Sequence, residues 1–277
     1  MKAARFAYER PKSLRQAVER LGDGGGFVKL LAGGQTLGPM LNLRLVQPDL
    51  LIDVTKLSET TGWSEEAGAI LIGACVTHAM IEDGKVPDPT GGILPRVAAG
   101  IAYRAVRNRG TIGGSLAHAD PAADWLSALA ALGAEVVLVG RSAERRVPVA
   151  ELSTGVFSTV IAEDEVLRAV RIPRLSRHAR WGYYKFWRKT GDFAEAIGAA
   201  LHDPEREAFR LVIGATNGAP LVLDGAALGV SGSALPERID MAAIGRALDA
   251  HGFADDDYGK AVHLVAARRA IERARRT

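Results

Sequence analysis

The chain contains two glycine-rich segments, Leu31-Ala32-Gly33-Gly34-Gln35-Thr36-Leu37 and Gly110-Thr111-Ile112-Gly113-Gly114-Ser115. The first follows an apolar run at residues 28–32, which predicts a buried strand. Glycine lets the backbone turn with a positive φ and lets a ligand approach the main-chain N–H groups. Successive N–H groups in such a turn form an anion site, and Thr or Ser hydroxyls add donors. Each segment alone also fits an ordinary hairpin or bulge, whereas two that converge would suit a pyrophosphate.

The length and composition indicate a globular protein with more than one domain. The chain has 277 residues, of which 48% are hydrophobic and 24% are charged, and this excludes a disordered or collagen-like chain. We expect a large cofactor-binding domain and a smaller second domain. Cys75 is the only cysteine, so the chain alone cannot form a disulfide, an iron–sulfur ligand set or a cysteine-based zinc site. We therefore expect a cytoplasmic protein, and no apolar run is long enough to span a membrane.

Other common functional signatures are missing from the sequence. It has neither a G-x-G-x-x-G motif nor a P-loop, which argues against a Rossmann NAD site and an NTPase. The net charge of +3 comes mainly from arginines near the end of the chain and predicts a solvated helix face rather than a nucleic-acid surface. No paired-histidine metal motif occurs, so we predict no metal site and no catalytic residue in this chain. His118 and Asp120 could be a catalytic or ligand pair, or a polar loop beside a helix cap.

The remaining pattern predicts a mixture of helices and strands. Ser13 and Gln16 form a capping-box pair before a first amphipathic helix. Asp120 as N-cap and Pro121 at the first helical position predict another helix, which Gly133 ends. Further strands are predicted at residues 50–54, 69–73, 135–139, 165–172, 183–188 and 209–216, and helices at 94–101, 241–250 and 258–276.

Both glycine segments and their flanks resemble the two FAD-binding motifs of the molybdenum hydroxylase flavoproteins. The flanks include Leu51-Ile52-Asp53, Ile72-Gly73-Ala74 and, in the second half, Lys185 followed by Gly191-Asp192-Phe193-Ala194. The match is closest to the medium, FAD-binding subunit of the carbon monoxide dehydrogenase type, with relatives in xanthine, nicotinate and caffeine dehydrogenases. It covers essentially the whole chain.

The resemblance implies an α+β fold with two domains. A two-subdomain α/β FAD-binding domain of the PCMH or vanillyl-alcohol-oxidase type would occupy residues 1–175, with subdomains of about 1–57 and 58–175. A smaller domain with a three-stranded antiparallel sheet and a helical cluster would occupy residues 176–277. The polar stretch at residues 175–180 agrees with a boundary there.

The resemblance also implies which residues contact FAD. Asp124 would accept hydrogen bonds from sugar hydroxyls, or be a first-turn carboxylate that the helix dipole favours. Lys185 would offset charge on the reduced ring, or be an ordinary solvated strand lysine. Leu167 would be an apolar contact to the cofactor, or a core strand residue. The segments themselves would cradle the pyrophosphate and the neighbouring sugars through Leu31, Ala32, Gly33, Gly34, Gln35, Thr36, Leu37, Thr111, Ile112, Gly113, Gly114 and Ser115.

Three positions depart from the family pattern. Ser115 stands where many relatives have Asn, Gln35 where others often have His, and Phe193 where Tyr is frequent. FAD binding is still expected. We expect this chain to differ from its relatives in its electron acceptor and in the reduction potential of the flavin, because groups that face the ring set its electronics.

The family resemblance implies a role in electron transfer. In that family a large molybdenum–pterin subunit oxidises the substrate, a small subunit with two [2Fe–2S] clusters relays the electrons, and the medium subunit passes them through FAD to an external acceptor. This chain would be such an oxidoreductase subunit, within a dimer of heterotrimers. Two alternatives stay open: a stand-alone flavin oxidase or dehydrogenase with its own substrate pocket, and an assembly module without a cofactor.

Overall fold

The computed structural model describes residues 2–23, 25–230, 235 and 239–277. In these residues it has fourteen strands and eleven α-helices, and none of the helices is both long and apolar enough to cross a membrane. The strands are β1 Ala7–Glu9, β2 Val28–Leu31, β3 Leu50–Asp53, β4 Trp63–Glu66, β5 Ala69–Gly73, β6 Glu135–Val139, β7 Glu144–Pro148, β8 Ser153–Gly155, β9 Ser158–Thr159, β10 Val166–Pro173, β11 Arg180–Phe186, β12 Ala196–Asp203, β13 Ala208–Gly214 and β14 Leu221–Asp224. The helices are α1 Leu14–Asp23, α2 Leu37–Asn42, α3 Ser58–Thr61, α4 His78–Glu82, α5 Ile93–Ala99, α6 Arg104–Arg107, α7 Ile112–His118, α8 Asp124–Leu132, α9 Val149–Leu152, α10 Met241–Leu248 and α11 Asp257–Ala274.

A three-stranded parallel sheet, in the order β1-β3-β2, lies at the beginning of the chain. Helix α1 packs on it through Leu14, Ala17 and Val18, whose three- and four-residue spacing puts them on one buried face. β2 and β3 end side by side, with Leu31 opposite Asp53. The first glycine segment therefore leaves this sheet at its carboxyl edge.

The main core lies under a five-stranded antiparallel sheet, in the order β4-β5-β10-β6-β7. Helices α5, α7 and α8 contribute to the same apolar cluster. Every residue of α8 is buried, from Asp124 to Leu132. A helix with no exposed face must be covered on all sides, so α8 lies between this sheet and a second one.

That second layer is a four-stranded antiparallel sheet, in the order β11-β12-β13-β14. The resemblance implied three strands, and the fourth is the short β14, which pairs with β13 and buries Leu223 opposite Leu211. One face of the sheet packs on α8 and the other on α11. Trp181 and Leu201 on the first face join the main core, so one apolar cluster crosses residue 175. The division of the chain into domains there stays a prediction.

Of the two sequence signals for the ends of α8, the one for its start was wrong and the one for its end was confirmed. The helix begins at Asp124, so the prediction of Asp120 as N-cap and Pro121 as first helical residue was wrong. Asp120 instead forms an Asx turn, in which its carboxylate accepts the N–H of Ala122 at 2.9 Å. Gly133 ends the helix as predicted, with a φ of 68° that suits glycine.

The basic residues at the end of the chain also hold the last helix in place. The guanidinium groups of Arg269 and Arg273 lie over the ring of Tyr184, at 4.7 and 5.0 Å from its centroid. Arg273 also donates to the main-chain oxygen of Tyr183. These contacts join α11 to β11, so the predicted solvated face is only part of the role of this cluster.

Close packing of α11 on the sheet depends on glycine. A Cβ atom on Gly182 would overlap the carbonyl oxygen of Ala270, so we expect Gly182→Ala to lower the free energy of unfolding by about 3 kcal/mol. Gly245→Ala in α10 is the control, because its Cβ would meet only the Lys260 Cε, at 3.6 Å. We expect that variant to be neutral or more stable by about 0.5 kcal/mol. Urea denaturation measures both, and wild-type stability of Gly182→Ala would contradict this packing.

Candidate cofactor site

The two glycine segments touch through their backbones. A Cβ atom on Gly33 would overlap the carbonyl oxygen of Arg109 and would lie 2.9 Å from the Cα of Gly110. On the other side, a Cβ on Gly114 would lie 3.7 Å from the Cβ of Ala32. Glycine at position 33 is therefore required for the segments to meet at all.

The first segment carries a row of available main-chain donors. It connects β2 to α2, and Gly34 takes a left-handed φ of 69°. Within the described parts of the chain, the N–H groups of Gly33, Gly34, Gln35 and Thr36 have no protein acceptor. The hydroxyl of Thr36 caps no N–H of the helix that follows. Such a row of unpaired donors at a glycine turn is the geometry of an anion site.

The second segment is not the open turn that the sequence indicated. It is the start of α7, where the Thr111 hydroxyl accepts the N–H of Gly114 at 3.0 Å as an N-cap. The N–H groups of Ile112 and Gly113 donate to the carbonyl oxygens of Val76 and Ala74, at 3.1 and 2.9 Å. These donors are already used, so this segment is a wall of the site rather than a second row of amides. Among its side chains, the half-buried Ser115 has a hydroxyl to which the structure gives no protein partner.

Close packing of α7 also requires glycine at position 113. A Cβ atom there would overlap the Cβ of Ala74 and would lie 2.7 Å from its Cα. This close approach lets α7 lie directly on the chain that leaves β5. The same approach brings the N–H of Gly113 to the Ala74 carbonyl oxygen.

A buried histidine supports the second segment. The Nδ1 atom of His78 accepts the indole N–H of Trp125 at 3.0 Å, and the main-chain N–H of His78 donates to the carbonyl oxygen of Gly110 at 2.9 Å. A ring whose Nδ1 accepts carries its proton on Nε2 when it is neutral. Burial, together with the charge of Arg107, lowers the pKa of His78 to about 4. The imidazole is therefore neutral at ordinary pH.

Asp124 and Lys185 form a buried ion pair at the start of α8. Lys185 Nζ donates to Asp124 Oδ2 at 2.8 Å, and the hydroxyl of Tyr183 donates to Oδ1 at 2.6 Å. Lys185 Nζ also lies 3.3 Å from the carbonyl oxygen of Gly100. The side chains of Asp124 and Lys185 are 6% and 7% exposed, so the alternative of a solvated strand lysine is wrong. Asp124 does lie in the first turn of α8, as the other alternative for that residue proposed.

A cavity of about 380 Å³ adjoins this ion pair. Its walls come from α5, α8, β11 and α11, and include Val97, Gly100, Asp124, Lys185 and Trp187. Lys185 Nζ lies 5.8 Å from the centroid of the Trp187 ring. The cavity thus offers a cation, a carboxylate and an aromatic face to a ligand.

The other predicted site residues lie in different surroundings. Leu31 is the last residue of β2 and Leu37 the first of α2, and both are half-buried. Leu167 pairs with Leu138 inside the main core, which agrees with the alternative of a core strand residue. Its contact with a cofactor stays a prediction.

The side chains of His118 and Asp120 contact different groups. The ring of His118 stacks on Phe157, with centroids 4.8 Å apart, while the carboxylate of Asp120 binds a main-chain N–H. Burial lowers the pKa of His118. In the described ranges, no cluster of three or more potential ligands could hold a metal ion. The polar-loop alternative for these two residues agrees with the structure.

The sequence did not point to Tyr183, whose hydroxyl donates the second hydrogen bond to the carboxylate of Asp124. The signal was available, because positions 183 and 185 of one strand project to the same face. Gly100 was also missed, and a carbonyl oxygen that approaches a lysine has no sequence signature. The structure does not show a contact between the Asp124–Lys185 pair and the glycine segments.

Comparison with known proteins agrees with the geometry. A family model described as the FAD binding domain in molybdopterin dehydrogenase matches residues 4–175. The carbon monoxide dehydrogenase medium chain of Hydrogenophaga pseudoflava is 37% identical over 220 residues, which cover 79% of this chain and 77% of that protein. The nicotine 6-hydroxylase medium subunit of Paenarthrobacter nicotinovorans is 33% identical over 278 residues, 96% of each chain.

Solved structures lead to the same family. A carbon monoxide dehydrogenase structure from Hydrogenophaga pseudoflava superposes with a TM-score of 0.86 at 33% identity, over 100% of this chain and 99% of that chain. The fold and site thus define an oxidoreductase subunit with an FAD-binding domain. The chain belongs to the family of FAD-binding domains of molybdopterin dehydrogenases, and the resemblance inferred from its motifs is confirmed.

Protonation of His78 should weaken the fold. Its folded pKa of about 4 lies below the ordinary 6.5, so the unfolded chain binds more protons between these values. We expect the free energy of unfolding to fall by about 3 kcal/mol from this group as the pH decreases from 6.5 to 4, and to be unaffected by it above 6.5. His78→Gln should remove this part of the pH dependence, and the same change at the exposed His178 should retain it. Urea denaturation from pH 4 to 7 measures the slopes, and equal slopes in wild type and His78→Gln would contradict the assignment.

Proposed function

We propose that this chain is the FAD-carrying electron-transfer subunit of a molybdenum hydroxylase complex. The observation that carries the proposal is the contact of Gly33 with the Arg109–Gly110 backbone, which brings both motifs together beside four unpaired N–H groups. Electrons would enter from [2Fe–2S] clusters of a partner subunit and leave through FAD to an external acceptor. The relatives are named as medium chains or subunits of dehydrogenases and hydroxylases, which supports a role within a complex.

The residues of the first segment fit the anionic part of FAD. The N–H groups of Gly33, Gly34, Gln35 and Thr36 can donate to pyrophosphate oxygens without breaking any bond within the protein. The absence of a Cβ at Gly33 lets the second segment approach, and Gly34 supplies the left-handed φ of the turn that carries the donors. Ile112 and the second-segment glycines would act by shape, with the Ser115 hydroxyl as an added donor.

The Asp124–Lys185 pair would lie at the flavin ring. Bound FAD supplies a centre that accepts electrons from one partner and releases them to another. Lys185 would donate an N–H to the ring, and Asp124 would hold that lysine in place through their buried ion pair. Tyr183 keeps its proton, because burial and Asp124 raise its pKa well above the ordinary value. Leu167 would contribute an apolar contact.

The partners that we propose are a large molybdenum–pterin subunit and a small subunit with two [2Fe–2S] clusters, in a dimer of heterotrimers. A chain with one cysteine cannot itself supply the thiolates of such clusters. We propose no nucleic-acid partner. The substrate pocket would belong to the large subunit.

Loss of glycine at position 33 should abolish flavin binding. A methyl group there separates the two segments, so we expect Gly33→Ala to take up less than a tenth of the FAD that the wild type binds. Gly38→Ala is the matched control, because a Cβ at that position of α2 has nothing within 4 Å. Absorbance at flavin wavelengths after gel filtration measures the ratio of FAD to protein. Equal FAD content in both variants and wild type would contradict the pyrophosphate assignment.

A milder change tests the same site without disturbing the fold. Ser115→Ala removes a hydroxyl that has no protein partner, so the stability of the chain without FAD should not change. The Kd for FAD should rise about fivefold, the equivalent of one lost hydrogen bond of about 1 kcal/mol. Quenching of flavin fluorescence measures the Kd. An unchanged Kd would remove Ser115 from the site.

The isolated, FAD-loaded chain separates the proposed role from a stand-alone oxidase. We expect dithionite to reduce its flavin, and carbon monoxide, nicotine or nicotinate to leave it oxidised, because the substrate centre lies on another subunit. Anaerobic absorbance spectra measure the reduction. Reduction by such a substrate would favour the flavin oxidase, and failure of the wild type to take up FAD would favour the assembly module.

A further inference from the structure

The ammonium group of Lys185 has more N–H donors than it has protein acceptors. An ammonium group has three N–H donors. One goes to Asp124 Oδ2 at 2.8 Å and a second approaches the carbonyl oxygen of Gly100 at 3.3 Å. The third has no protein acceptor in the part of the chain that the structure describes, and Lys185 lines the cavity of about 380 Å³. Lys185 can thus donate one N–H to a ligand in that cavity.

Both carboxylate oxygens of Asp124 have a hydrogen-bond donor. Oδ2 accepts from Lys185, and Oδ1 accepts from the hydroxyl of Tyr183 at 2.6 Å. Tyr183 is held from the other side as well, because its ring lies parallel to that of Trp181, with an interplanar angle of 4°. Oδ1 is therefore satisfied by Tyr183 and does not need a second proton of Lys185.

We propose that Tyr183 is a positioning residue, which occupies Asp124 Oδ1 so that Lys185 keeps one N–H for the flavin ring. This inference rests on the function proposed above. Without the phenol, a buried Oδ1 would lack a partner, and such an atom is costly. The Lys185 ammonium group is the nearest donor that can satisfy this oxygen, and it would then donate one proton to each oxygen of Asp124. Lys185 would then turn from the cavity toward α8.

The consequence for the flavin is a change of potential rather than a loss of binding. Reduction adds negative charge to the ring, so a lysine N–H stabilises the reduced form more than the oxidised one. With Tyr183→Phe, the glycine segments still hold FAD. We expect the reduced form to lose about tenfold in binding relative to the oxidised form, which for a two-electron couple lowers the midpoint potential by about 30 mV.

The experiment is a spectroscopic redox titration of the full-length chain loaded with FAD. Tyr183→Phe is compared with wild type and with Tyr258→Phe, an exposed tyrosine of α11 whose loss should leave the potential unchanged. The same change is then made in an Asp124→Asn, Lys185→Met background, which has no ion pair to position. There, Tyr183→Phe should not shift the potential. A merely structural tyrosine would lower the melting temperature in both backgrounds and leave the potential unaltered.

Each outcome decides the proposal. A wild-type potential in Tyr183→Phe, or an equal shift in the background without the pair, overturns it while the proposed function stands. A wild-type chain that takes up no FAD overturns both. Should Tyr183→Phe not fold, 3-fluorotyrosine at position 183 replaces it. That residue keeps the phenol and makes it a stronger donor, so the potential should rise, and a fall or no change overturns the proposal.

Discussion

Two successive residues of one buried helix connect the parts of this site. Asp124 and Trp125 begin α8, and their side chains bind in different places. The carboxylate holds Tyr183 and Lys185 of the four-stranded sheet, while the indole N–H holds His78 beneath the second glycine segment. Because every residue of α8 is buried, the helix cannot shift without disturbing both sheets. The position of Lys185 and that of the second glycine segment thus both depend on the packing of α8.

The polar side chains at the start of α8, Asp124 and Trp125, are tolerable in the core because each has a partner. A buried carboxylate next to a buried ammonium group must be satisfied by further hydrogen bonds, and the phenol of Tyr183 and the carbonyl oxygen of Gly100 supply them. His78 meets the same demand by staying neutral, so that its Nδ1 can accept from Trp125. Such satisfied networks fix side chains in one arrangement before a ligand arrives. A preorganised site of this kind suits a cofactor that must change charge without moving the protein.

The sequence located the glycine segments and predicted the end of α8, because glycine at a positive φ leaves a clear local signal. It did not show that the second segment is a helix start. That outcome depends on the carbonyl oxygens of Ala74 and Val76, which are distant in sequence and accept its first N–H groups. β12 was missed because its run of small residues has only one β-branched side chain, so burial on both faces rather than propensity makes it a strand. The pairing of Asp124 with Lys185 likewise requires the three-dimensional approach of α8 and β11.

The central claim is that FAD binds through the amides of the first glycine segment, with the second as a wall. It is tested most directly by ¹H–¹⁵N correlation spectra and amide hydrogen exchange of the chain with and without FAD. We predict that the signals of Gly33, Gly34, Gln35 and Thr36 shift and become protected when FAD is added. Those of Gly113 and Gly114, which already have acceptors, should be protected in both states. Bound FAD with unshifted signals at residues 33–36 would contradict the claim.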